Sequence, residues 1–290
     1  MKNKNIVTKI GIVAPASPFK KEAFDDGNKF ISSLGVKTHF TNRIFKKTGF
    51  TVGEPKQRAV ELLEVIKSND IDAIFFARGG YGCSQILPLL DKQNLSKGLK
   101  NKILMGYSDI TALFCYFYSK YNTHCLYGPN ITSHYFKNKE LLKKILNMKH
   151  GTKQKIKILK KGKTKITAPV FGGCLSVMAS LAGTPYIKKL DGHILFIEDT
   201  NEAPYKIDRM LTQLIQSGII KDIKAIAVGA MEKCDSPNIS WKEPVLRIAK
   251  ELNIPVVYGI RAGHAGFDTV IKLGGKATID FNKKEFEIKD

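Results

Sequence analysis

Over the first 120 residues, short runs of branched and aromatic residues alternate with longer runs at helical spacing, and no other feature restricts the fold as much. Lys9–Ala14 reads as a strand, Glu22–Leu34 as a helix stopped by Gly35, and Val36–Phe40 as a second strand. Pro55–Lys67 sets Val60, Leu63 and Ile66 at helical spacing behind a proline suited to a first helical turn. Ile71–Phe76 is strand-like, Ser84–Leu90 helical, Lys102–Met105 strand-like and Ile110–Tyr118 helical. Such repetition predicts an α/β fold with a parallel sheet covered by helices on both faces.

Past residue 150 the pattern changes. Lys153–Lys165 reads as a connector or an exposed hairpin, and Pro169–Gly183 resumes an apolar, glycine-rich run. Ile194–Ile197, Ala225–Val228 and Pro255–Tyr258 are strand-like, and Tyr205–Ile215 and Lys242–Leu252 helical. Thr269–Gly274, Ala277–Phe281 and Glu285–Ile288 read as short antiparallel strands. A chain of 290 residues accommodates two domains. The expected division is 1–160, including a basic linker from about residue 149, and 161–290.

The formal net charge of +21 raises nucleic acid or an anionic membrane as partner. Its densest stretch, Lys149–Lys165, has no acidic residue and no Phe, Tyr or Trp on which bases could stack, so a solvated linker is expected there rather than a nucleic-acid surface. The positive field, screened beyond about 8 Å at physiological salt, suits a small substrate with several carboxylates. Five scattered cysteines without a C-x-x-C pair and six dispersed histidines suggest neither a disulfide framework nor a metal site. Ile10–Ala14 is too short for the core of a secretion leader, and no apolar run reaches the roughly 18 to 20 residues of a membrane span, so a cytoplasmic protein is expected.

Four segments hold side chains suited to chemistry. In Gly106-Tyr107-Ser108-Asp109 a strand ends, a serine occupies the turn and a helix begins. That is the layout of a nucleophile elbow, and equally of an ordinary N-cap; Ile110 stands where G-x-S-x-G has its second glycine. In Arg78-Gly79-Gly80-Tyr81-Gly82 a glycine turn follows a strand and either supplies an oxyanion amide or simply turns the chain, with Arg78 free to hold a carboxylate or to cap a carbonyl. Glu198 ends an apolar strand, where it is either solvated or orients a histidine, and Asp199, Thr200 and Asn201 are expected to cap the following helix. His264 lies in the glycine-rich turn Gly263-His-Ala-Gly266, open to service as a general base.

Taken in order, GIVAPASP, FARGGYG, MGYSDITALF, YGPN, FGGCLSVMASLAGTPY, LFIEDTNEAPYKIDRML and GHAGFDTVIKLGGKATID resemble the LD-carboxypeptidase (muramoyltetrapeptide carboxypeptidase) family, which includes the microcin-immunity serine peptidases. The resemblance implies Ser108 as nucleophile, His264 as general base and Glu198 as the residue that orients it, with the backbone amides of Gly80 and Asp109 as oxyanion hole. Arg78 and Tyr81 are the expected substrate contacts. It further implies a flavodoxin-like N-terminal domain carrying the serine, a smaller β-rich α/β C-terminal domain carrying the other two, a homodimer and no cofactor. The implied reaction is hydrolysis of the L,D-amide bond before a terminal D-alanine in peptidoglycan-derived tetrapeptides. A peptide-nucleotide antibiotic as substrate, or a non-catalytic anion-binding role, are the alternatives. The chain departs from the family pattern at Tyr127, where histidine is usual, and at Cys174, where asparagine is usual.

Overall fold

The computed structural model describes residues 6–290; the lysine-bearing start, residues 1–5, lies outside them. The chain divides into two compact units, the first ending at His150 and the second spanning Gly151–Asp290.

In the first unit the strands are β1 (Lys9–Val13), β2 (Lys37–His39), β3 (Ala73–Phe76), β4 (Ile103–Gly106) and β5 (Cys125–Tyr127). All pair in parallel, in the order β2-β1-β3-β4-β5. This is the flavodoxin-like order. The helices are α1 (Lys21–Ser33), α2 (Pro55–Lys67), α3 (Cys83–Leu90), α4 (Ser96–Leu99), α5 (Thr111–Tyr121) and α6 (Lys139–Leu146). Every residue of β3 and β4 is buried, as expected of parallel strands covered on both faces. Helix α1 packs by its apolar stripe, with Phe24 edge-on to Phe40 and Phe45 at ring separations of 4.9 and 5.2 Å. Helix α6 adds to the expected elements: Asn138 caps it by accepting from the Leu141 N–H, and Leu141, Leu142, Ile145 and Leu146 are buried.

The strand order reverses between β1 and β3. Loops leaving the carboxyl ends of strands beside such a switch point are where open α/β sheets bind ligands. Here those loops are Ala14–Ser17 after β1, Ala77–Gly82 after β3 and Tyr107–Asp109 after β4.

The second unit holds β6 (Thr152–Lys155), β7 (Lys157–Lys160), β8 (Lys165–Cys174), β9 (Ile194–Thr200), β10 (Ala225–Glu232), β11 (Val256–Tyr258), β12 (Ile271–Leu273), β13 (Lys276–Asp280) and β14 (Glu285–Ile288). Its helices are α7 (Leu175–Ser180), α8 (Pro204–Gln216) and α9 (Lys242–Glu251). Eight of the strands form one sheet in the order β6-β14-β13-β8-β9-β10-β11-β7. The four strands β8 to β11 are parallel, and β13, β14, β6 and β7 join antiparallel.

The two ends of this sheet, β6 and β7, are separated along the chain by Ile156 alone. The segment expected as a solvated basic linker therefore supplies both edge strands of the sheet. Its lysines point out and are tied down: Lys153 and Lys155 reach the two oxygens of Glu285 at 3.2 and 3.0 Å, and Lys160 Nζ donates to the Ala249 and Ile254 carbonyls. Ile156, between two exposed lysines, is buried. Lysines on the strands at the edges of a sheet disfavour pairing with other chains.

Candidate active site

The strand β4 delivers Ser108 into a turn that continues as a single 3₁₀ turn, Ser108–Ile110, and then as α5. The serine has φ of +64°, a left-handed conformation that costs a non-glycine residue energy and is kept where the surroundings enforce it. Several contacts enforce it. The Ser108 N–H donates to the Tyr127 hydroxyl at 3.2 Å, and the Tyr107 N–H donates to Asn130 Oδ1 at 3.2 Å. Gly79 packs directly on the serine: a Cβ there would lie 2.8 Å from Ser108 Cβ. A strained serine between a buried strand and a helix is the geometry of a nucleophile elbow.

The glycine turn after β3 is pinned from both sides. The Tyr81 N–H donates to Ser17 Oγ at 3.0 Å, and the Ser17 N–H donates to the Gly79 carbonyl at 3.2 Å. The Asp109 carboxylate, buried, accepts from the Cys83 N–H at 2.8 Å, so the nucleophile turn and the glycine turn share a bond. Burial raises the Asp109 carboxyl pKa, against the Cys83 bonds and the charge of Arg58. The Asp109 amide lies in the first turn of a helical segment, where backbone N–H groups have no helical acceptor. Arg78 is exposed and donates to the Pro18 carbonyl, and Tyr81, about half exposed, packs its ring against Phe50 at 5.4 Å.

In the second unit the carboxyl ends of β8 to β11 gather the other candidates. Glu198, paired in register with Cys174 of β8, is fully buried. One of its oxygens, Oε2, accepts both the His264 backbone N–H at 2.9 Å and His264 Nδ1 at 2.7 Å. The histidine arrives there on the turn after β11, where Gly263 has φ of +129° and would, with a Cβ, place it 2.4 Å from Glu198 Oε2. Only glycine permits so close an approach. The Arg261 N–H donates to Gln154 Oε1 at 2.9 Å, so β6 steadies the same turn.

Burial works against the imidazolium of His264, but the Glu198 hydrogen bond and the charges of Glu198, Asp199 and Glu232 outweigh it and raise the pKa above 6.5. With Nδ1 bonded to a carboxylate, the neutral ring carries its proton on Nδ1 and presents Nε2 as an acceptor. That is the state a general base needs.

One expectation changes here. Asp199 does not cap the helix that follows it: its carboxylate accepts from the Ser176 N–H at 2.7 Å, at the start of α7, and from the Thr200 N–H at 2.8 Å, while α8 starts at Pro204 without a side-chain cap. The reason is topological, since β8 runs beside β9 and brings the start of α7 to its end. Tyr127, a departure from the family pattern, supports the serine backbone, a role its place in YGPN gave no means of reading. All five cysteines are buried and outside any disulfide, and among the described residues no cluster of three or more His, Cys, Asp or Glu side chains is arranged to hold a metal ion. Nor is any described helix long and apolar enough to cross a membrane.

Such a serine turn and such a histidine–carboxylate pair are each arrangements that hydrolases use. The model of the LD-carboxypeptidase N-terminal domain matches residues 10–128, and that of the C-terminal domain matches residues 167–279. A putative carboxypeptidase of Rickettsia conorii is 30% identical over 98% of this chain and 91% of its own. The microcin C7 self-immunity protein of Escherichia coli is 28% identical over 95% and 90%. Among solved structures, muramoyltetrapeptide carboxypeptidase from Oxalobacter formigenes superposes with a TM-score of 0.83 at 26% identity, covering 98% of this chain and 99% of the other. The chain belongs to the LD-carboxypeptidase family, which makes it a peptidase of the carboxypeptidase kind.

Proposed function

We propose that this protein is a serine carboxypeptidase that removes the terminal D-alanine of peptidoglycan-derived tetrapeptides, with Ser108 as nucleophile, His264 as base and Glu198 as its orienting acid. The observation that carries the reading is the fully buried Glu198, one of whose oxygens holds both the backbone and the ring of His264. A carboxylate buried so completely and bonded twice to one histidine is an expensive arrangement, and orienting a base is the use that repays it.

In this mechanism His264 Nε2 takes the Ser108 proton as Oγ attacks the carbonyl before D-alanine. The amides of Gly80 and Asp109 receive the oxyanion. Collapse breaks the C–N bond, the imidazolium gives its proton to the departing amine, and D-alanine leaves. Water, deprotonated by the same histidine, then hydrolyses the acyl-enzyme. Arg78 and Tyr81, exposed beside the glycine turn, are the proposed substrate contacts. The proposal includes a cytoplasmic homodimer working in murein recycling without a cofactor.

The microcin immunity relative, of comparable identity, keeps a second reading open: the same residues cleaving a peptide–nucleotide conjugate. One assay decides. Purified protein is given a defined muropeptide tetrapeptide and, separately, an aminoacyl-sulfamoyl nucleoside, and D-alanine and free amino acid are measured. D-Alanine release that falls by about 10⁶ in Ser108→Ala supports the first reading. Release of amino acid from the nucleoside conjugate without D-alanine supports the second. Activity surviving in Ser108→Ala sinks both.

A further inference from the structure

We propose that Arg58 is a positioning residue for this reaction, holding the glycine turn in register with the serine turn from beneath. The inference rests on the reading of Ser108 as nucleophile.

Arg58 lies on α2, among lysines and glutamates that suggest a solvated face, yet it is only 2% exposed. Its guanidinium ties two loops to the start of α3. Nη1 donates to the Pro15 carbonyl after β1 at 2.5 Å and to the Gly82 carbonyl after β3 at 2.8 Å, and Nη2 donates to Gln85 Oε1 at 2.5 Å. The next residue after Gly82, Cys83, gives its N–H to the Asp109 carboxylate, and Asp109 follows the nucleophile. A continuous chain of bonds therefore runs from Arg58 through Gly82 and Cys83 to Asp109, and so joins the two turns whose amides are proposed to receive the oxyanion. Ser17, fixed to Gly79 and Tyr81 on the β1 side, completes the frame.

A residue serving stability alone would not be chosen for this position. The Nε of Arg58 is buried without a hydrogen-bond partner among the described residues, a penalty that a solvated arginine avoids. Burial disfavours the guanidinium charge, and Cys83 and Asp109 are among the groups that oppose this. The fork is what the site uses: two planar arms reach two carbonyls and a side-chain amide at once, which a lysine ammonium on a flexible stem cannot reproduce.

The test compares wild type, Arg58→Lys, Asp109→Asn and Ser108→Ala. The first measurement is the rate at which a fluorophosphonate probe labels Ser108, read by intact mass. In labelling, serine oxygen bonds to phosphorus, fluoride leaves, the serine proton passes to the base, and the phosphoryl oxygen occupies the oxyanion position. The second is kcat and KM for D-alanine release. Arg58→Lys is expected to label ten- to a hundredfold more slowly and to lose kcat in proportion, with KM within about threefold of wild type, because the loss is in amide placement. Asp109→Asn replaces the charged acceptor of the Cys83 N–H by a neutral one, and so weakens the same chain of bonds should the lysine variant fail to fold; a slowing of at least fivefold is expected. A folded Arg58→Lys or Asp109→Asn, judged by circular dichroism, that labels as fast as wild type overturns the proposal. Wild type that does not label at all overturns the serine mechanism, and this inference with it.

Discussion

Replacing Glu198 by Gln isolates the charge from the geometry. One oxygen, Oε2, accepts both bonds from His264, so the carboxamide oxygen can take its place and keep the proton on Nδ1. What disappears is the negative charge. A hydrogen bond to a charged group is worth about 1.5–3 kcal/mol and a neutral one about 0.5–1.5, so the imidazolium loses roughly 1–2 kcal/mol of differential support. At about 1.36 kcal/mol per pH unit this lowers the His264 pKa by about one unit. In wild type that pKa is raised above 6.5, and the base must be neutral, so kcat/KM rises with pH through a value above 6.5. In Glu198→Gln the acid limb moves down by about one unit while the plateau falls, because the imidazolium formed in the transition state has lost its counter-charge. The same sign governs stability: a raised histidine pKa contributes below pH 6.5, and that contribution is lost as pH rises through the folded-state value. The assay is D-alanine release coupled to D-amino acid oxidase between pH 5 and 9, alongside the NMR titration of the His264 ring. A ring pKa and an acid limb that stay where wild type has them, in a folded variant, would refute the pairing as the source of the titration.

Gly263→Ala should be more damaging to activity than its size suggests, since the new Cβ would meet Glu198 Oε2 at 2.4 Å and the backbone is at φ of +129°. A loss of at least a hundredfold in kcat is expected, and wild-type turnover would show that the turn relaxes freely. Asp199→Ala removes the acceptor for the Ser176 and Thr200 N–H groups and is expected to cost about 1–2 kcal/mol, seen as a fall of several degrees in melting temperature. An unchanged melting temperature would mean that both amides find other acceptors.

Elements with a clean pattern were legible in the sequence: α2 spans Pro55–Lys67 as its spacing and leading proline predict, β3 falls within its apolar run, and β4 runs one residue past its own, to Gly106. Strand β5 is three residues long and shows no period, so nothing local distinguishes it from a loop. The lysine-rich segment misled for a different reason. Its net charge suggests solvation, but Lys155, Ile156, Lys157 and Ile158 alternate with the period of a strand, and that period was the better guide. Charge reports which faces meet water and says little about whether the backbone is paired.

The site residues divide in the same way. The turn that carries Ser108 was legible because strand, turn and helix are consecutive in sequence there. That Glu198 is buried rather than solvated was not, because its burial follows from the position of β9 between β8 and β10, which the strand order alone determines. At an edge of the sheet, a glutamate at a strand end stays hydrated. At the end of an inner strand it is enclosed by its neighbours and must find donors, which the turn after β11 supplies through both the backbone and the ring of His264. Arg58 takes the same logic further. Nothing in KQRAVELL separates it from the surface lysines around it, and only the meeting of two loops and the start of α3 at α2 turns an arginine that reads as solvated into a buried tie between them.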